Sequence, residues 1–117
     1  MGSDAETERA VYIQQIDPDQ REAYIKAHDE VPAGVTEAMT RASVTDFELY
    51  IRDDIAVCVL EAEDVSAYID SVASNESIEE WERYVAQFKR EGVDVDSTPD
   101  EQIPFMERIW SFTPKTP

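Results

Sequence analysis

The chain holds one histidine, and a tyrosine stands one helical turn before it. Tyr24 and His28 follow Asp17-Pro18-Asp19, an aspartate cap with proline at the first helical position, so the two side chains share one helix face. Imidazole is the side chain that gives and takes protons near neutrality unaided, and a neighbouring phenol can orient a hydroxylated substrate. The pair therefore points to acid/base chemistry. The plainer alternative is that the two rings only cap and pack near Pro32. Other chemistries lack their parts. Gly2, Gly34 and Gly92 form no phosphate-binding loop, and one histidine among scattered acids gives no Ser-His-Asp order. The single cysteine, Cys58, excludes an intramolecular disulfide or a Cys-rich metal site, and its neighbours Ala56, Val57, Val59 and Leu60 predict a buried thiol. A carboxylate-only metal site would be indistinguishable from a solvated acidic surface, so no metal is assigned. Trp81 and Trp110 both fall on apolar stripes that read as packing. Trp81, at the start of a helix, also lies where a flat aromatic face could meet a sugar ring.

These residues need elements to carry them. Arg9 to Ile16, β-branched and aromatic without Gly or Pro, predicts a first strand. The Asp17-Pro18 helix should run to about His28 or Asp29, Pro32 and Gly34 interrupt it, and Val35 to Ala42 forms a second helical piece. Val44–Ile51 and Ile55–Ala62 predict a hairpin turned by Arg52-Asp53-Asp54. Asp64 caps a helix bearing Val65, Tyr68, Ile69 and Val72. Asn75 or Ser77 opens another, with Ser77 and Glu80 matching a capping box. Its stripe is Ile78, Trp81, Tyr84, Val85 and Phe88, with Lys89 and Arg90 in the last turn and Gly92 ending it. An acidic loop over 93–102 leads to a last strand, Ile103–Phe112, that Pro104 confines to an edge. Strand, helix, two strands, helix, strand is the order of an α+β, ferredoxin-like split βαβ fold with a four-stranded antiparallel sheet. Helices cover one face of such a sheet, and the other predicts a homodimer.

Ten Lys plus Arg against 27 Asp plus Glu give a net charge of −17, which disfavours nucleic acid and anionic membranes as partners. The 117 residues suffice for one domain, 9–114, between an acidic, unstructured leader (1–8) and a short tail (115–117). No apolar run approaches the ~20 residues of a membrane span, and the acidic N-terminus is unlike a signal peptide, which predicts a cytoplasmic location. Low hydrophobicity with high charge also marks disorder, but the periodic segments and the absence of low-complexity tracts argue for a fold. The dispersed acidic excess predicts a halophilic, salt-requiring protein, in which molar salt shortens the Debye length to ~3 Å. That negative field should also favour the imidazolium form of His28.

Several pieces resemble the L-rhamnose mutarotase family over about Arg9 to Pro114. They are Tyr-Ile-Gln-Gln-Ile-Asp-Pro-Asp at 12–19, Tyr24-x-x-x-His28, Asp46-Phe-Glu-Leu-Tyr-Ile51, Trp81-Glu-Arg-Tyr84 after a Val-Ala-Ser segment, and the closing Trp-Ser-Phe-Thr-Pro. The resemblance implies a dimeric α+β barrel that interconverts the α and β anomers of a 6-deoxy hexose such as L-rhamnose without a cofactor. It makes His28 the catalytic acid toward the ring oxygen, and places Tyr24, Phe47, Trp81 and Glu82 at substrate-binding positions. Two positions depart from the family pattern: Phe47 stands where it has Tyr, and Glu82 where it has a second Trp. L-fucose is the competing sugar. The rival classes are a cofactor-free monooxygenase of the same barrel type, which would need a pocket for a flat aromatic, and a non-catalytic dimer in which His28 packs. Convergence of Tyr24, His28 and Trp81 on one polar pocket discriminates between catalysis and packing.

Overall fold

Strand β1 (Glu8–Ile16) turns Tyr12, Gln14 and Ile16 inward by simple alternation, and all three are buried. In the computed structural model, which describes residues 7–98 and 101–114, this strand is the centre of the sheet. Its first residue, Glu8, belonged to the expected leader but is ordered here, its carboxylate accepting from the Val65 amide at 2.9 Å. Residues 1–6 and 115–117 lie outside the described residues.

The Asp17 side chain accepts from the Asp19 amide at 3.0 Å and opens a short 3-10 turn, Pro18–Gln20, continued by α1 (Arg21–Ala27) and a second 3-10 turn, His28–Glu30. Helix α2 (Ala33–Arg41) starts after Pro32 and ends through Ser43 in the left-handed region, φ 67°. Strands β2 (Val44–Arg52) and β3 (Ile55–Ala62) form the expected hairpin, whose turn holds Asp53 at φ 53°. Asp64 caps α3 (Val65–Ser74). Of the two candidate caps for α4 (Glu76–Ala86), Asn75 is the one used, its side chain accepting from the Ile78 amide at 3.0 Å.

The sheet order is β2-β3-β1-β4, antiparallel throughout, with β4 (Lys89–Glu91) and β5 (Phe105–Met106) both pairing with β1. This is the α+β, ferredoxin-like arrangement. Its fourth position is filled differently from the expectation. Helix α4 ends at Ala86, so Lys89 and Arg90 enter a strand rather than a last helical turn, and Gly92 follows that strand. The expected strand Ile103–Phe112 shrinks to two residues. Beyond it Ile109, Trp110 and Phe112 are exposed, Trp110 to 77 %, so the packing role read for Trp110 does not hold within this chain. The edge of β1 is shared between two short strands, β4 pairing at Gln15 and Ile16 and β5 at Val11 and Tyr12.

Val35, Ala38, Tyr68, Val72, Ile78 and Val85 bring the helices down onto Tyr12, Ile16 and Leu60, each large buried side chain contributing roughly 1.5–3 kcal/mol. The opposite sheet face carries Val11, Ile13, Val57, Val59 and Tyr50, with Ile13 and Tyr50 exposed and no helix above them among the described residues.

Candidate active site

Between α1, α4 and the inner sheet face lies a cavity of about 280 Å³, and all five residues singled out in the sequence line it: Tyr24, His28, Phe47, Trp81 and Glu82. They arrive from three parts of the chain. Tyr24 projects from the buried face of α1, His28 follows one turn later, Phe47 is on the inward parity of β2, and Trp81 and Glu82 come from the core side of α4. Phe47, Leu49, Met39 and Val35 form an apolar wall. The polar lining includes Gln14, Tyr24, His28, Glu82 and Lys89. A larger open groove, about 680 Å³, lies on the far side of Trp81 between Lys26, Glu30, Glu80 and Tyr84, but contains no histidine.

His28 Nδ1 is 2.8 Å from the Tyr24 carbonyl oxygen. A carbonyl can only accept, so Nδ1 carries the hydrogen and Nε2 is the site left for a ligand. The imidazole is wedged between two rings, 4.7 Å from that of Tyr24 and 5.2 Å from that of Trp81, which meets it edge-on at 86°. Burial lowers the His28 pKa below its ordinary value. The bond to the Tyr24 carbonyl and the charge of Asp29 oppose this, and the charge of Lys89 adds to it. The expected enhancement of imidazolium by the acidic surface is thus reversed, because desolvation outweighs the bond to the Tyr24 carbonyl and the charge of Asp29.

Glu82 is also buried, and burial raises its pKa while Lys89 pulls it down. Lys89 Nζ lies 3.5 Å from Glu82 Oε1 and also donates to Gln14 Oε1. The other end of the Gln14 amide, Nε2, donates to the Tyr24 hydroxyl at 3.2 Å and to Cys58 Sγ at 3.3 Å. Burial pushes the Cys58 thiol up to about 11 against the hydrogen bonds from Tyr12 and Gln14, so it stays protonated, as its apolar neighbours implied. Phe47 meets the rings of Tyr12 and Tyr68 at 6.4 and 6.2 Å and brings no hydroxyl to the cavity. No group of three His, Cys, Asp or Glu side chains is arranged to hold a metal among the described residues.

Gln14 and Lys89 were not singled out in the sequence. Gln14 was legible in principle, since Tyr12, Gln14 and Ile16 share one parity and a polar residue on a core face must have buried partners. Lys89 was not, because a three-residue strand has too little period to reveal its inward side.

The sequence pattern of L-rhamnose mutarotases matches residues 9–112. No curated protein matches the chain. Among solved structures, the L-rhamnose mutarotase of Formosa agariphila superposes with a TM-score of 0.67 at 15 % identity, over 91 % of this chain and 99 % of that one. Tetracenomycin F2 cyclase of Streptomyces glaucescens, a polyketide cyclase, gives 0.64 at 20 % identity over 92 % and 99 %. At such identities both likenesses concern the fold. The match across nearly the whole sequence carries more, and by it this chain belongs to the L-rhamnose mutarotase family.

Proposed function

We propose that this protein is a cofactor-free mutarotase that interconverts the α and β anomers of L-rhamnose, carried by the single domain 9–114. One observation supports the reading above the others: a histidine with a fixed tautomer, a phenol, an indole and a buried carboxylate share one cavity large enough for a single sugar ring. The apolar wall around Phe47 suits the methyl group of a 6-deoxy sugar, and the polar lining suits its hydroxyls.

Nε2 of neutral His28 accepts the proton of the anomeric hydroxyl, and the C1–O5 bond breaks as the resulting imidazolium donates that proton to the ring oxygen. Both oxygens are bonded to C1, so one nitrogen can serve both. The acid role implied by the family resemblance is retained, with its proton drawn from the substrate. The open-chain aldehyde rotates about C1–C2, and the reverse steps close the ring on the other face. Tyr24 and Glu82 bind hydroxyls, Trp81 flanks the ring, and Phe47 holds the apolar edge. The barrier is modest, since the reaction in water is itself acid/base catalysed; one positioned proton-transfer group contributes ~10²–10⁴-fold.

The test is anomer exchange by saturation-transfer NMR on L-rhamnose, L-fucose and other sugars in high salt. His28→Ala should lose nearly all exchange above the spontaneous rate and Tyr24→Phe roughly tenfold. Full exchange by His28→Ala would sink the assignment. The apolar outer sheet face and the exposed tail further support a homodimer, and the dispersed acidic excess a halophilic setting.

A further inference from the structure

The cavity contains a relay whose far end the mechanism above does not use. We propose that Lys89 is a positioning residue: by donating to Gln14 Oε1 it fixes the orientation of the Gln14 amide, so that Nε2 donates to the Tyr24 hydroxyl and the Tyr24 O–H is left for a ligand oxygen.

An amide has an accepting end and a donating end, and the surroundings decide which faces where. If the Gln14 amide turned over, its NH₂ would meet the Lys89 ammonium, donor against donor, in a place where the Lys89 side chain is only 4 % exposed. Its carbonyl would then face the Tyr24 hydroxyl, which would spend its one hydrogen on Gln14. With the ammonium in place the phenol accepts from Gln14 and keeps its hydrogen. Glu82 holds the ammonium from the other side, 3.5 Å away. Gly92 abuts the same amide, since a Cβ there would lie 2.6 Å from Gln14 Oε1. Burial holds the Tyr24 phenol well above its ordinary pKa, so it remains a donor. The relay thus runs from β4 through β1 to α1, and ends beside His28. Its consequence for catalysis rests on the mutarotase reading.

Two measurements on the full chain test it. In side-chain amide NMR, Lys89→Met should shift both Gln14 Nε2 proton resonances and speed their solvent exchange by roughly tenfold or more. Unchanged Gln14 resonances would overturn the proposal whatever the enzyme does. In the anomer-exchange assay, Lys89→Met and Tyr24→Phe should each lower the rate roughly tenfold, and the double variant by little more than either. A multiplied, roughly hundredfold loss would mean that Lys89 does not act through Tyr24, and would equally overturn it. Because Lys89→Met strands the Glu82 carboxylate, the Gln14 resonances are also read in the double variant Lys89→Met/Glu82→Gln, which removes both charges of the buried pair. Should the wild type exchange no sugar, the mutarotase reading fails alone, and the Gln14 resonances still decide the relay.

Discussion

The Tyr24 carbonyl makes His28 a one-sided reagent. With Nδ1 committed to that oxygen, every proton His28 trades passes through Nε2. Because burial depresses its pKa, the resting imidazole is neutral at pH 7, and protonation before substrate arrives blocks the first transfer. The expected pH profile of anomer exchange is flat near and above neutrality and falls as pH drops below the ordinary histidine value of ~6.5 through the lowered one. A rate that rises on acidification would instead make imidazolium the resting form. The same depression acts on stability with the same sign: below ~6.5 the unfolded chain takes up the proton more readily than the folded one, so stability is lost as pH falls through the folded pKa. Glu82 works oppositely. Its pKa is raised, so the folded state is penalised as pH climbs through the carboxylate range, and Lys89 limits that penalty.

At the scale of elements, the junction between β1 and the segment after β4 decides whether the polar wall is assembled. Gly92 permits the approach: an added Cβ would sit 2.6 Å from Gln14 Oε1 and 3.1 Å from its Cγ. Gly92→Ala should therefore cost about 1–3 kcal/mol in urea denaturation and lower anomer exchange as Lys89→Met does. Gly34 in α2 is the control. A Cβ there would meet the Ser77 hydroxyl, also at 2.6 Å, which can rotate away, and the Ser77 Cβ at 3.1 Å, which must give by a few tenths of an ångström. Gly34→Ala should cost less than Gly92→Ala, because up to ~1 kcal/mol of helix propensity offsets the squeeze against Ser77. Equal damage from both would locate the sensitivity in the helices rather than at the sheet edge.

The whole molecule is shaped by what it leaves uncovered. Val11, Ile13, Val57, Val59 and Tyr50 make an apolar stripe on the open sheet face, and Ile109, Trp110 and Phe112 extend from the β5 end. Against a net charge of −17, association of the proposed homodimer would be favoured by salt, which screens the repulsion between copies. Sedimentation in molar salt should give twice the chain mass, and transfer to millimolar salt should lower both the dimer fraction and the melting temperature. A monomer at molar salt would remove the homodimer, and indifference to salt would remove the halophilic reading. Among the described residues no helix is long and apolar enough to cross a membrane.

Local signals in the sequence determined most of the framework. The caps at Asp17 and Asp64, the alternation in β1 to β3 and the stripe Ile78, Trp81, Val85 are short-range consequences of backbone hydrogen bonding and side-chain period, and they carried Tyr24, His28, Phe47, Trp81 and Glu82 to their places, while the choice of Asn75 over Ser77 as the cap of α4 was left open. The end of α4 and the fate of Ile103–Phe112 were not legible, because they depend on how two distant pieces of chain divide the free edge of β1, Lys89–Glu91 taking Gln15 and Ile16 and Phe105–Met106 taking Val11 and Tyr12. The protonation of His28 was misread for a related reason: composition counts charges, whereas desolvation depends on what encloses the ring. The Lys89–Gln14–Tyr24 relay joins residues from three elements, 75 positions apart between Lys89 and Gln14, and only the packed structure brings them within hydrogen-bonding reach.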